Sequence, residues 1–422
     1  MPFEAQRRLI RSLLVASAIT LAGAPSALAQ SPLSLAEAQR LAVERSRGLA
    51  GQRLAVDAAR EMAVAAGQYP DPVLSLSVEN VPAQGADRFS VTRDFMTMKR
   101  IGVMQELTGK EKRTLRAERY ESEARKALAE QEATLASIQR DTALAWLDAW
   151  YADQVVAAVA ELRERALQEV QAAESEYRAG KGSQPDVLMA HADVAMLDDR
   201  AAEALRKARN ARAVLARWAG EGAATRKLGP VPDVGTHGVS AHDEELAGHP
   251  EIEALARAQE VAAAEARLAR ANRTPDWSVE LAYQDRASRF GDMFTVGVKI
   301  PLPWDRANRQ DRELAARLAM AEQAQAMRDE ALRKHVAEVR TMLNEWESNR
   351  SRIARYEREI VPLARSRSEA ALTAYRGGKS SRSEVLSALR GELDARLMAL
   401  MLESETARLW AQLAYLIPEN VK

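Results

Sequence analysis

YRAGKGSQPDVL (177–188) and YRGGKSSRSEVL (375–386) are one segment written twice in the same chain. Tyr, Arg, Gly, Lys, Ser, Val and Leu recur at a constant offset, and Asp186 is replaced by Glu384. A single Gly-Lys turn carries little information. Two copies at a fixed offset mark a duplicated structural unit, and the period of a repeat constrains everything built around it.

Each copy closes a run without helix breakers. From 110 to 179 there is no glycine and no proline, and from 304 to 376 only Pro362 interrupts. Seventy helical residues would extend about 105 Å at 1.5 Å each. That length points to a coiled coil or a helical tunnel rather than a globular helix. Pro362 lacks an N–H and should kink or break its helix. The duplicated segments then read as hairpin tips. Gly180 and the pair Gly377-Gly378 supply the left-handed residue that ends a helix. Ser183 and Ser381 cap the returning helices, with Asp186 and Glu384 favoured in the first turn by the helix dipole.

At the other end of each long helix lies a second repeated element. PDPVLSLSVEN (70–80) sets Leu74, Leu76 and Val78 against Ser75, Ser77 and Glu79, and PDWSVELAYQD (275–285) sets Val279, Leu281 and Tyr283 against Ser278, Glu280 and Ala282. This period-two alternation predicts strands with one apolar face. RIGVMQEL (100–107) and TVGVKIPL (295–302) are their partners, across polar loops at 81–97 and 286–292. Strands of about 10 residues have the length of a tilted transmembrane β-strand. Four strands cannot close a barrel, and open edges are not tolerated in lipid. Three chains would supply twelve strands, whereas a small soluble sheet capping a helical bundle would need no partner.

The predicted organisation is an export signal at 1–29 and a first repeat at 30–219. The first repeat holds strands at 71–80 and 100–107, a long helix at 110–178, a tip at 179–184 and a helix at 185–219. An irregular linker at 220–250 joins it to a second repeat at 251–418, with strands at 276–285 and 294–302, a long helix at 305–376, a tip at 377–382 and a helix at 383–417. The signal rests on Arg7, Arg8 and Arg11, an apolar stretch at 13–24, and the small residues of Ala27-Leu28-Ala29. No later segment is apolar enough for a membrane helix.

Composition excludes several classes. The chain has 422 residues and no cysteine, which removes disulfides, thiolate metal sites and a cysteine nucleophile. Lys plus Arg and Asp plus Glu are equal at 60 each, so there is no basic footprint for nucleic acid. No Ser-His-Asp order, phosphate loop or metal-hydrolase motif appears, and no enzyme or cofactor is expected.

The export signal, duplicated hairpins, long Ala-rich helices and Gly-centred tips together resemble the TolC family of outer-membrane efflux ducts. The likeness spans about 33–418. YPDPVLSLSVEN, GVMQELTGKEKR and KIPLPWDRANR are similar to its heavy-metal branch, typified by CzcC and CusC. That resemblance implies a mainly α protein with a small membrane β-barrel. It would be a homotrimer whose twelve-stranded barrel sits in outer-membrane lipid and joins an α-helical barrel in the periplasm. It also implies a periplasmic adaptor (membrane-fusion) protein and an inner-membrane pump of the resistance-nodulation-division (RND) type as partners, with heavy-metal cations as cargo. Several members of that branch carry a lipidated N-terminal cysteine, where this chain has Gln30 at the expected mature start.

The family's periplasmic gate maps to Tyr375 on one hairpin and Asp186 on the other, with an acidic constriction at Glu384. A second acidic position of the family is Ser387 here. A Tyr hydroxyl donating to a carboxylate is a charge-assisted bond that a partner could break. Read without the family, Asp186 and Glu384 are helix N-terminal charges. Gly180, Lys181, Gly182, Ser183, Gly377, Gly378, Lys379, Ser380 and Ser381 map to the adaptor-docking tips.

Other readings stay open from the residues. The duct could carry drugs or other small organic molecules, or the chain could be an exported coiled-coil scaffold or an adaptor. An adaptor would need lipoyl and β-barrel modules around a single hairpin, and two hairpins are present. His237, His242 and His249 share a loop without metal-ligand spacing and are expected to be solvated, while His191 and His335 fall on helices. Met96 and Met98 would suit Cu(I) but equally serve as adaptable apolar side chains.

Overall fold

A computed structural model describes residues 31–234, 246–286 and 289–416. The expected export signal lies outside the described residues, as do His237 and His242.

The first repeat begins with two short helices, α1 (Leu35–Arg45) and α2 (Arg47–Ala66). They are capped by Ser34 and Ser46, whose hydroxyls accept the N–H of Glu37 and Leu49, both at 3.1 Å. Strands β1 (Val73–Glu79) and β2 (Met98–Leu107) follow, then α3 (Lys110–Arg178), α4 (Gln184–Ala219) and one turn, α5 (Glu221–Ala224). The second repeat runs α6 (Pro250–Ala271), β3 (Trp277–Asp285), β4 (Met293–Lys299), α7 (Gln310–Arg355), α8 (Val361–Arg376) and α9 (Arg382–Ala414).

α3 is one unbroken helix of 69 residues, as the missing glycine and proline require. Its counterpart is divided. Between α7 and α8 lies a π-helical turn, Tyr356–Ile360, in which the Val361 N–H reaches back to the Tyr356 carbonyl. Pro362, in the first turn of α8, has no N–H for the carbonyl four residues before it, so the ladder changes step there. The second long helix starts at Gln310, five residues later than the sequence suggests, because 304–309 form turns.

The four strands form one antiparallel sheet in the order β1-β2-β3-β4, so β2 and β3 pair the two repeats. The register aligns Leu74, Val103, Leu281 and Val296 in one row and Leu76, Ile101, Tyr283 and Phe294 in the next. This apolar face is open: Leu76 is 71% exposed, Val296 73% and Phe294 75%. The opposite face is polar. There Arg100 reaches Glu79 at 3.3 Å and also bonds Glu280, which takes Lys299 at 3.0 Å. Glycine fits one crowded point of this face, since a Cβ on Gly102 would stand 2.8 Å from Ser75 Oγ and 3.2 Å from the Ala282 Cβ and would force both to shift. A soluble sheet would turn its apolar face inward; this one does the reverse.

The main core lies where α3, α4, α7 and α9 pass one another at mid-height. Trp146, Leu147, Leu215, Val339, Ala407 and Leu413 pack there with Leu33. Trp146 is fully buried and donates its indole N–H to the Leu33 carbonyl at 3.1 Å. The N-terminal segment is tied to the linker by a parallel bridge between Leu33 and Leu228. Away from this belt α3 buries mostly alanines, among them Ala124, Ala127, Ala136, Ala166 and Ala173, which let helix backbones approach closely. Among the described residues no helix is long and apolar enough to cross a membrane.

Candidate gate at the helical tips

Both tips close as the sequence requires. Gly180 and Gly378 each take φ of +70°, and no atom lies within 4 Å of where a Cβ would stand on either. Around the first tip the N–H groups of Lys181 and Gly182 donate to the Glu176 carbonyl at 2.9 and 3.1 Å. Around the second, the Lys379 N–H donates to Ala374 O at 2.8 Å. These bonds satisfy the last carbonyls of α3 and α8 while a left-handed residue turns the chain. Gly180, Lys181, Ser183, Gly377, Gly378, Lys379 and Ser381 are exposed, and Gly182 and Ser380 are half-buried.

Asp186 and Glu384 are both engaged locally. Ser183 caps α4 and donates its hydroxyl to Asp186 Oδ2 at 2.5 Å. Ser381 and Glu384 form a reciprocal capping box, with the Glu384 N–H donating at 3.3 Å and the Ser381 N–H at 3.1 Å. Ser380 adds a hydroxyl bond to Glu384, and these bonds hold the Glu384 carboxyl below the usual glutamate range. Ser387 is exposed on the next turn. Within one chain Tyr375 does not meet Asp186, which the sequence reading paired with it. Its hydroxyl donates to Glu176, in the last turn of α3. The physical reason is local: the Asp186 carboxylate is taken up by the hydroxyl of Ser183, the cap of its own helix, whereas Glu176 points across the seam between the hairpins.

The centre of that seam is Arg382, whose side chain is only 2% exposed. Its guanidinium donates to the Glu169 carbonyl at 2.7 Å, to Glu169 Oε2 at 3.2 Å, to Glu176 Oε2 at 2.7 Å and to the Tyr375 hydroxyl at 2.7 Å. It also stands 4.9 Å from the centre of the Tyr375 ring. Arginine suits the place because its planar fork serves several acceptors at once and stays charged when buried. The Tyr375 bond, then the Arg382 contact, lower the Glu176 carboxyl below its usual range. Burial, then the bond to Glu176, raise the Tyr375 hydroxyl.

The seam continues away from the tip as alternating ion pairs between α9 and the first hairpin. Arg390 meets the buried Asp193, and Glu392 takes Arg165 at 3.3 Å and the Ser368 hydroxyl at 2.5 Å. Asp394 takes Arg200 at 3.2 Å, and Arg396 takes Glu161 at 2.9 Å. The apolar contact beside these pairs is small, with Val159, Leu162, Ala166, Leu197 and Leu393 at its centre.

Sequence reasoning missed Glu176 and Arg382, yet the duplication carried a signal for them. Aligned on Tyr177 and Tyr375, Glu176 matches Ala374 and Arg382 matches Gln184. The two copies differ by opposite charges at the positions that bond across the seam. Differences between repeats, more than their identities, mark where one copy must touch the other.

Elsewhere, His191 meets Glu174 at 3.2 Å on an exposed surface. His249 is not solvated as the loop reading expected: it is 6% exposed and starts α6 beside His335. Met96 is exposed and Met98 half-buried at the loop end of β2. Among the described residues no three His, Asp or Glu side chains are grouped to hold a metal ion.

This arrangement of an open sheet and long paired hairpins is shared with solved outer-membrane channels. The outer-membrane channel OprN superposes with a TM-score of 0.77 at 20% identity, over 91% of this chain and 90% of that one. CusC, described for its folding and transmembrane channel formation, gives 0.78 at 17% identity over 92% and 93%. The outer membrane protein VceC of Vibrio cholerae gives 0.76 at 20% identity over 92% and 97%. Residues 241–417, most of the second repeat, match the family model of the outer membrane efflux proteins. No protein of curated function matches by sequence.

Proposed function

We propose that this chain is the outer-membrane exit duct of a tripartite efflux system. Three copies close a twelve-stranded barrel in outer-membrane lipid and continue it as an α-helical barrel in the periplasm. The tips meet a periplasmic adaptor, and an RND pump of the inner membrane supplies the energy.

The observation that carries this reading is the sheet. It turns Leu74, Leu76, Ile101, Val103, Leu281, Phe294 and Val296 outward, keeps its ion pairs on the other face, and leaves β1 and β4 as free edges. An apolar exterior, a polar interior and edges needing partners are the requirements of a barrel in lipid. Trp277 near one end of the apolar face and Tyr283 and Phe294 near the other suit the two interfacial belts.

The second part of the proposal is the gate. In the closed state Arg382 ties the hairpins of one chain through Glu169, Glu176 and Tyr375. Asp186 and Glu384 keep the helix starts rigid, and Glu384 presents a carboxylate to passing cations. The adaptor docks on the exposed Gly180–Ser183 and Gly377–Ser381 segments and draws the seam apart. The cargo is proposed to be heavy-metal cations, on the likeness of the strand and turn motifs to that branch.

The test is a deletion strain challenged with copper, silver, zinc, cobalt, cadmium and nickel, with dyes and β-lactams alongside. Sensitivity confined to metals supports the cargo. Sensitivity to dyes and drugs keeps the duct and overturns the metal assignment. Recovery of the protein as a soluble periplasmic monomer would overturn the duct itself.

A further inference from the structure

Among the described residues four helices start on serine: Ser34, Ser46, Ser183 and Ser381 each accept a backbone N–H of the first turn. α6 starts on a histidine. The Glu251 N–H donates to His249 Nδ1 at 3.3 Å. A serine hydroxyl can cap at any ordinary pH. An imidazole can do so only while Nδ1 keeps its lone pair, which fixes the ring's one proton on Nε2. The imidazolium has two donors and no acceptor, and it would place a positive charge at the positive end of the helix dipole.

The surroundings sharpen the difference. His249 is 6% exposed, and its ring lies 4.3 Å from that of His335, the planes inclined at 36°. Both rings line a cavity of about 680 Å³. Arg140 and Asp141 of α3, Glu251 of α6 and Glu338 of α7 face the same space. The acids favour a charge on His335, but burial outweighs them and holds it below its usual range. Burial, then His335, then Arg140, push His249 down to about 4. The capped tautomer leaves no lone pair on Nε2, so the two rings do not together form a cation site. The backbone N–H of His249 itself donates to the carbonyl of Leu246, three residues earlier, at 3.2 Å, and Leu246 is 4% exposed in the main core. The cap therefore connects the core to the start of the second repeat.

We propose that His249 is a proton-released helix cap: acid turns its ring from acceptor to donor, frees the first turn of α6, and loosens the junction between the linker and the second repeat. The folded ring holds its proton less tightly than the free side chain. The capped state is thus fully favoured above about pH 6.5 and is lost progressively as pH falls toward about 4. One proton changes the uncapped-to-capped ratio by about tenfold per pH unit in that window.

Hydrogen exchange of the full chain in detergent, corrected for the intrinsic pH dependence, tests this on peptides covering 249–256. Protection there should fall by about tenfold per pH unit below about pH 6.5. His249→Asn and His249→Ser keep an acceptor that does not titrate, so either should hold protection constant. His335→Gln leaves the cap intact and should keep the fall. Constant protection in the wild type down to about pH 4.5, an unchanged fall in both His249 variants, or a fall abolished by His335→Gln would overturn the proposal.

Discussion

Replacing Arg382 by Gln should open the seam at the tip. The guanidinium makes four hydrogen bonds to α3 and Tyr375, and its side chain is 2% exposed. Its loss leaves the Glu169 and Glu176 carboxylates of α3 facing the second hairpin without a cation. Breaking a buried pair by removing one partner costs about 3–5 kcal/mol. Glu176 keeps 37% exposure and Glu169 13%, so water recovers part of this and the lower figure applies. At about 3 kcal/mol per chain the closed-to-open ratio falls by roughly 100-fold, since each 1.4 kcal/mol is tenfold. Single-channel conductance in planar bilayers reads the outcome, with sensitivity of cells to bulky antibiotics as a second measure. Tyr375→Phe removes one hydroxyl bond and should give a smaller rise. Asp186→Ala removes only a first-turn acid and the partner of the Ser183 hydroxyl, costs about 0.3–1 kcal/mol of helix stability, and should leave conductance alone. The charge-exchanged pair Glu176→Arg with Arg382→Glu should recover part of the closure lost in either single change. Wild-type conductance for Arg382→Gln in properly inserted channels would refute the gate, and an effect of Asp186→Ala equal to that of Arg382→Gln would move it to the tip itself.

Acid should act on the same cluster. The Glu176 carboxyl is held below 4.5, so its contribution is complete above that pH and is lost as pH falls through the lowered value. Conductance should therefore rise in acid, and Glu176→Gln should be open at neutral pH with no further acid response. On the sheet, Leu76→Arg places a charge on the apolar face and should cost about 2–4 kcal/mol if that face meets lipid, read as loss of heat-resistant oligomer in outer-membrane extracts. Thr295→Arg, on the polar face, should be tolerated; equal loss from both would argue against a lipid-facing side. Gly180→Trp or Gly378→Trp should abolish efflux while leaving the protein in the membrane. Each introduces a bulky side chain at φ of +70° on an exposed tip, and retained efflux would refute docking there.

Much of the architecture was legible in the residues because it depends on local rules. The absence of Gly and Pro over α3 dictates one long helix, and Gly180 and Gly378 dictate where the chain turns. The alternation in 73–79 and 277–285 assigns two faces to each strand before any pairing is known. Pro362 marked the place where the second long helix changes step, although not that it would do so as a π turn.

The tertiary structure decided what each charge does. From sequence alone Asp186 and Glu384 looked available to a gate and Glu176 looked like one of many helix glutamates. Packing set their partners within one chain, because a carboxylate next to a capping serine finds its partner within one turn, while one facing another helix must find it across the gap. His249 shows the same limit. Its loop composition suggested solvent, but burial against His335 and the first N–H groups of α6 made it a cap. Periodicity and turn chemistry act over a few residues and are written in order along the chain. Ion pairs such as Arg382 with Glu176 join residues about 200 apart, and only the docking of one hairpin on the other brings them within a hydrogen bond.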